Sequence, residues 1–252
     1  MSWSGVYVGV NAGWNSSNSE VAPAVATVDQ ISDIGAGGTV FFVPSATFAT
    51  RRMEFSDQSW KAGGEVGINR QMGHVVFGLE GDMDAVGGHS AQASRYALEG
   101  IDRTTSSTVI IDRHADPNWT ASARLRIGWA TGPVLLYGTG GVGIAEVRQS
   151  ASYSYAPTLN NGLPNGAGIS LGSFVNGASA NNTLPGWILG VGVETAINRQ
   201  VSIGAEYLHS DFGTTAFGFA ALSAGPTHEN VPIHFANDAL LAKVNLKLGG
   251  LF

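Results

Sequence analysis

His209-Ser210-Asp211 sets three residue types of hydrolytic chemistry side by side, and Asp112, His114 and Asp116 bring two carboxylates and an imidazole to alternate positions. The first group would suit an enzyme that modifies lipid at a membrane rim, the second the acid–base work of a protease. Neighbouring residues of an extended strand project to opposite faces, so His209 and Ser210 cannot share a surface. An interfacial histidine accounts better for that segment. Asp112, His114 and Asp116 fall in a long connection, where solvated charge is the simpler reading. His89, His114, His228 and His234 could ligate a metal or haem. The spacing of His228 and His234 fits no zinc motif, however, and separate connections would have to converge. The chain has no cysteine, which removes thiolate ligands, Cys nucleophiles and disulfides. Gly138-Thr139-Gly140-Gly141-Val142-Gly143 is not a phosphate loop, since it lacks the Lys-Ser/Thr ending and no helical pattern follows it. No catalytic residue, metal or cofactor is expected.

The elements that must position these residues are strands. The 252 residues are 44% apolar but only 13% charged, with 35 glycines and a mean hydropathy of +0.09. A net charge of −6 argues against nucleic acid as a partner, because phosphate binding needs a basic surface. No run of about 18 apolar residues could form a transmembrane helix. Instead, period-2 alternation recurs in eight segments. Val6, Val8, Val10, Ala12 and Trp14 share one face of the first. In the second, Trp60, Ala62, Val66 and Ile68 oppose Lys61, Glu65 and Asn69. In the third, Val75, Phe77, Leu79 and Met83 oppose Glu80, Asp82 and Asp84. In the fourth, Trp119 to Trp129 at odd positions oppose Thr120, Ser122, Arg124 and Arg126. Segments near 134–145, 187–197, 201–209 and 240–248 repeat the pattern, and none carries a charge on its apolar face.

Connections near 70–73, 131–133 and 198–200 are short and carry turn residues. Those near 15–59, 87–118, 149–186 and 210–239 are long. Short and long connections in alternation describe an up-and-down barrel of eight antiparallel strands. Ile68-Asn69-Arg70-Gln71 recurs as Ile197-Asn198-Arg199-Gln200, which suggests hairpin duplication at corresponding turns.

The faces decide which way the barrel is turned. A soluble barrel keeps its apolar side inward, whereas a membrane barrel presents it to lipid and encloses the polar side. Here the polar face carries Lys61, Arg124, Arg126, Lys243 and Lys247 against Glu65, Glu80, Asp82, Asp84, Glu194 and Glu206. These five cations and six anions nearly neutralise one another, as an interior ionic network should. Glycines and the bulky Tyr7 and Tyr137 on the same face suit a narrow, filled lumen. Trp14, Trp60, Trp119 and Trp187 fall at the long-connection ends of their strands, on the apolar face. Trp129 lies at a short-turn end, with Trp3 at the same level. Together with Tyr207, they read as the two aromatic girdles of a membrane barrel.

Trp3-Ser4-Gly5-Val6-Tyr7-Val8-Gly9-Val10-Asn11-Ala12-Gly13 resembles the mature amino terminus of small alphaproteobacterial outer-membrane porin-family barrels, of the opacity or surface-antigen type. Ala123–Trp129, Tyr137–Gly143 and the terminal Phe252 are similarly placed. The resemblance implies an eight-stranded barrel similar to the OmpA type, lying in the bacterial outer membrane as one domain over 1–252, with four long extracellular loops and three periplasmic turns. It implies export with a cleaved signal peptide, so Met1 is expected to stand where that segment was removed. It also implies contact with outer-membrane lipid and lipopolysaccharide, and delivery to the barrel-assembly machinery through the strand ending at Phe252. The expected function is a structural, envelope role with at most a narrow pore. The long loops would act as a surface interaction or self-assembly module. A surface receptor or adhesin binding a ligand such as haem, and a lipid-modifying enzyme, remain open alternatives. Two stretches stand out, Thr39–Val43, apolar and β-branched, and 151–186, which contains no charge; either could form a hairpin rising past the membrane or an adhesive surface for a partner or a neighbouring copy.

Overall fold

A computed structural model of the chain describes residues 2–21, 25–28, 31–34, 40–42, 46–49, 53–87, 91–99, 105–159, 169–170, 174–221 and 227–248. Eight strands form the wall: β1 (Gly5–Val21), β2 (Met53–Met72), β3 (Val75–Gly87), β4 (Thr105–Thr131), β5 (Val134–Leu159), β6 (Phe174–Ala196), β7 (Val201–Ala221) and β8 (Thr227–Lys247). Each pairs antiparallel with the next, and β8 pairs back onto β1, so the sheet closes without a free edge at this level. Three tight turns join the strands at one end. Gly73 and Gly132 take positive φ there, a conformation glycine adopts without a steric penalty. In the third turn the Asn198 side-chain oxygen accepts from the backbone N–H groups of Gln200 and Val201, both at 2.8 Å. The repeated Ile-Asn-Arg-Gln tetrapeptides are not equivalent in the fold. Asn69 is buried inside the barrel near the end of β2, whereas Asn198 forms the turn itself. The tetrapeptides thus lie at the turns that end β2 and β6 but at different offsets from them.

Alternation sorts the side chains by wall face. Val10, Leu125 and Val142 point outward and are more than 60% exposed, while Arg124, Glu206 and Lys243 point inward and are at most 2% exposed. The apolar outer face of β4 runs from Trp119 to Trp129, and a tilted strand needs about 9–11 residues to cross the hydrocarbon layer. Glycines on the inner face admit the large side chains of opposing strands. A Cβ at Gly67 would come within 2.3 Å of the Tyr7 ring, and one at Gly192 within 2.4 Å of Tyr137.

The strands run well past the ends expected of them, so the long connections are largely strand. Those between wall strands shrink to 22–52, 88–104, 160–173 and 222–226, and the first two carry short strands of their own (25–28, 31–34, 40–42, 46–49 and 91–99). Closure of the wall ends sooner than the strands do. Trp60↔Gly87 is the last pair of β2 with β3, and Trp187↔Asp211 the last of β6 with β7. Above these tryptophans the wall divides into two four-stranded sheets. One contains 91–99 and the upper parts of β4, β5 and β6, and the other the upper parts of β7, β8, β1 and β2. Alternation did not reveal this rim, because above the lipid a strand has no apolar solvent to select its outer face. The two sheets meet through a small apolar core of Ala145, Val147 and Leu184 against Phe212 and Phe235. A bulge between Asp211 and Thr214 starts the division on the β7 side. Gly213 supplies the positive φ, and its N–H donates to Asp211 Oδ1 at 2.8 Å.

Candidate functional site

The inner faces of β2, β3, β4, β6, β7 and β8 bring most of the charged residues together at mid-height. Glu80 is the hub. Its Oε1 lies 2.5 Å from Arg124 Nη2 and 3.0 Å from Lys243 Nζ, while Oε2 accepts the Tyr7 hydroxyl at 2.6 Å and lies 3.6 Å from Arg126. Arg124 also reaches Asp82 at 2.9 Å and Glu206 at 3.5 Å. Lys243 Nζ holds Glu65 at 2.9 Å and Glu206 at 3.1 Å. Arg126 pairs with Glu194 and stacks over Tyr137, 3.5 Å from the ring centroid. Lys61 and Asp84 form a separate pair at 3.1 Å, to which Asn11 donates.

Lys247 does not join this network. It sits at the short-turn mouth and donates to the Ser2 carbonyl at 2.8 Å. Two β-strand repeats below Lys243, it has passed out of the ring of carboxylates. Without it, four interior cations face six carboxylates. Neutral donors make up part of the difference: Ser202 and Asn245 donate to Glu194, and Ser122 donates to Asp82. Sequence reading did not give these neutral partners roles, although their place on the same strand faces as the charges marks them.

The interior is not polar throughout, as expected from the sequence, but layered. At the short-turn end Trp3 is buried with Val76, Ala130, Leu135 and Tyr137. It belongs to this inner plug and not to the girdle, because its strand has not yet begun and its ring folds under the barrel. A cavity of about 390 Å³ lies at that mouth, lined by Tyr7, Asn69, Glu194, Ser202, Asn245 and Lys247 among others. Nearer the rim, Ile188, Leu208, Ala239 and Leu241 fill one side of the lumen. Apolar clusters thus flank the ionic side chains along the axis, beside buried Asn15, Ser17 and Asn237 at the rim end and the polar-lined cavity at the mouth. A lumen only eight strands around is filled by side chains in just this way.

On the outer face Trp14, Trp60, Trp129, Trp187 and Tyr207 are exposed, while Trp119 is half-buried. Trp129 stacks on His74 of the first turn, with ring centroids 5.3 Å apart. Tyr207 donates to Asp238 Oδ1 at 2.6 Å, and His209 Nδ1 lies 2.8 Å from the same oxygen. His209 thus faces outward beside Trp187, while Ser210 is buried, so the two sit on opposite faces. Asp112, His114 and Asp116 lie in the rim portion of β4, in register with Ser152, Ser150 and Arg148. Residues 40–42 of the apolar run pair with 31–34. His89, Thr39, Val43 and Phe252 lie outside the described residues.

The outer membrane protein beta-barrel domain model matches residues 1–235. The 31 kDa outer-membrane immunogenic protein of Brucella melitensis is 26% identical over 219 residues, covering 84% of this chain and 72% of that protein. A 22 kDa outer membrane protein of Rhizobium leguminosarum is 33% identical over 109 residues, covering 42% of this chain and 43% of its own. Neisserial surface protein A overlaps 97% of this chain and 98% of its own with a TM-score of 0.37 and 14% identity. The eight-strand architecture rests on the closed ladder itself. With its apolar face outward, its charges enclosed and its sequence matched by that domain model, the chain belongs to the outer membrane protein β-barrel domain family and is a protein of the bacterial outer membrane.

Proposed function

We propose that the chain is a non-enzymatic envelope barrel of the surface-antigen type, sealed through its lumen and carrying its interactions on the rim above the membrane. The observation that carries the seal is the hub at Glu80, where Arg124, Arg126, Lys243 and Tyr7 converge from three other strands. Opposite charges at these distances in a buried setting hold each other firmly, and opening a path would strand charges without partners. Relatives named as outer-membrane immunogenic proteins support the placement of the rim at the surface. The lipid-facing wall, with its tryptophan girdles, supports direct contact with outer-membrane lipid and lipopolysaccharide.

Liposome swelling tests the seal. Wild-type barrels should admit no sugar-sized solute. A double variant lacking the hub, Glu80→Ala with Arg124→Ala, should admit more of the smallest solutes if it folds. Rapid swelling with the wild-type protein would remove the seal from the proposal.

A further inference from the structure

The rim has two gaps, and they are not alike. One separates strand 91–99 from the upper part of β2 (53–59). The first edge carries Arg95 and Glu99 and the second Glu54 and Asp57. Charges on exposed edges are the usual guard against pairing with another chain. The other gap lies between 174–186 of β6 and 212–221 of β7, which have no ladder partner on their facing sides among the described residues. Neither segment contains a single charged residue. The lower end of this gap is fixed at Trp187↔Asp211. Pro185, just above, has no N–H to give a ladder, and proline is tolerated in sheets mainly on edge strands. The Gly213 bulge then interrupts the β7–β8 ladder, and beyond Phe212, which packs on Leu184, both edges lack a ladder partner on this side among the described residues.

We infer that this gap is an interface for a second copy of the same chain, in which β6 of each barrel pairs antiparallel with β7 of the other above the membrane. Two constraints select that partner. All copies enter the membrane the same way up, with the tryptophan girdle fixing the height of the rim, so neighbouring gaps meet at one level. In such neighbours two β6 edges run in the same direction, as do two β7 edges, whereas β6 and β7 run oppositely. Only the β6–β7 combination gives antiparallel pairing, and a two-fold axis along the membrane normal makes it twice over. The absence of charge on both edges means that no like-charge repulsion opposes this contact, and no salt bridge favours a charged partner in its place. The inference rests on the rim being the interaction platform and goes further by naming its partner.

The native lack of cysteine makes the test clean. Ala180→Cys combined with Thr215→Cys, oxidised in native outer-membrane vesicles, should give a disulfide-linked dimer. The same pair of cysteines at Ser56 and Ser94, on the guarded gap, should leave the protein monomeric. Adding Ala178→Lys with Ala216→Lys to the first pair should reduce the dimer at least several-fold, while heat-modifiable migration on gels reports that the barrel still folds. Monomer alone from the 180/215 variant, a disulfide formed within one chain, or equal dimer from the guarded gap would overturn the inference. Replacing 155–183 by a Gly-containing turn separates the two levels of the proposal. If that change alters surface assembly although no 180/215 dimer forms, the platform stands and self-pairing fails. If neither responds, both fail.

Discussion

Mid-membrane lumen and outer rim are built from the same strands yet held together by opposite means. In the lumen, three cations and five carboxylates interlock beside the Lys61–Asp84 pair, and large side chains fit into spaces left by glycines. In the rim, five apolar side chains join two sheets whose facing edges have no ladder partner among the described residues. The difference follows from what lies outside the wall. Where lipid covers the outer face, no backbone group can be left unpaired, so the ladder must close. Above the lipid, water can satisfy an open edge, and the same strands can separate. Closure is therefore a property of the membrane-spanning segment, and the interactions proposed above belong to the rim.

The largest effect should come from breaking the lumen side of this contrast. Lys243→Ala removes the partner shared by Glu65, Glu80 and Glu206 and should cost about 3–5 kcal/mol, less where water enters. Reversible urea unfolding in lipid vesicles would measure it. Val191→Arg on the lipid face, near the middle of β6, should cost about 2–4 kcal/mol in the same assay. An unchanged midpoint would show that the wall face is misassigned. Gly213→Ala forces an L-residue into a left-handed conformation and should cost about 1–2 kcal/mol. Its effect should be confined to the rim, with faster hydrogen exchange at 212–221 and none at the level of Glu206 and Lys243. Smallest of all, Lys247→Ala should stay within about 0.5 kcal/mol, since that amine stands at the mouth and, among the described residues, donates to the Ser2 carbonyl and to no carboxylate. Two lysines on one strand face, four residues apart, would then differ by several kcal/mol through depth alone.

How far these features could be read from sequence depended on the solvent around each segment. Period-2 alternation located all eight strands within the membrane, because lipid outside and charge inside impose opposite chemistry on adjacent residues. It also puts Arg124, Arg126 and Lys243 on the carboxylate face and offers Glu80, Asp82 or Glu65 of neighbouring strands to the two arginines, but not the pairing of Arg126 with Glu194, since that depends on shear around the barrel. Lys247 shares the face of Lys243 but not its depth, and parity carries no information about depth. Trp3 was assigned to the girdle by its level, whereas the short lead before β1 folds its ring inward. Alternation does not mark the rim strands, because Asn, Ser, Gly and Thr in 174–186 look like loop residues when no lipid selects among them; a hairpin rising past the membrane is one of two readings of the uncharged stretch, and 174–186 does pair with β5. Even so, their lack of charge was visible, and it marks the edges on which the second-copy inference depends.

The seal across the lumen is tested most directly by planar-bilayer recording of the purified wild-type barrel. The ionic hub flanked by the Trp3 and Ile188 clusters should leave the bilayer silent, or permit only rare, very small steps. Large, long-lived conductance steps of porin size from correctly folded protein would contradict a filled lumen and with it the proposed division of labour between lumen and rim.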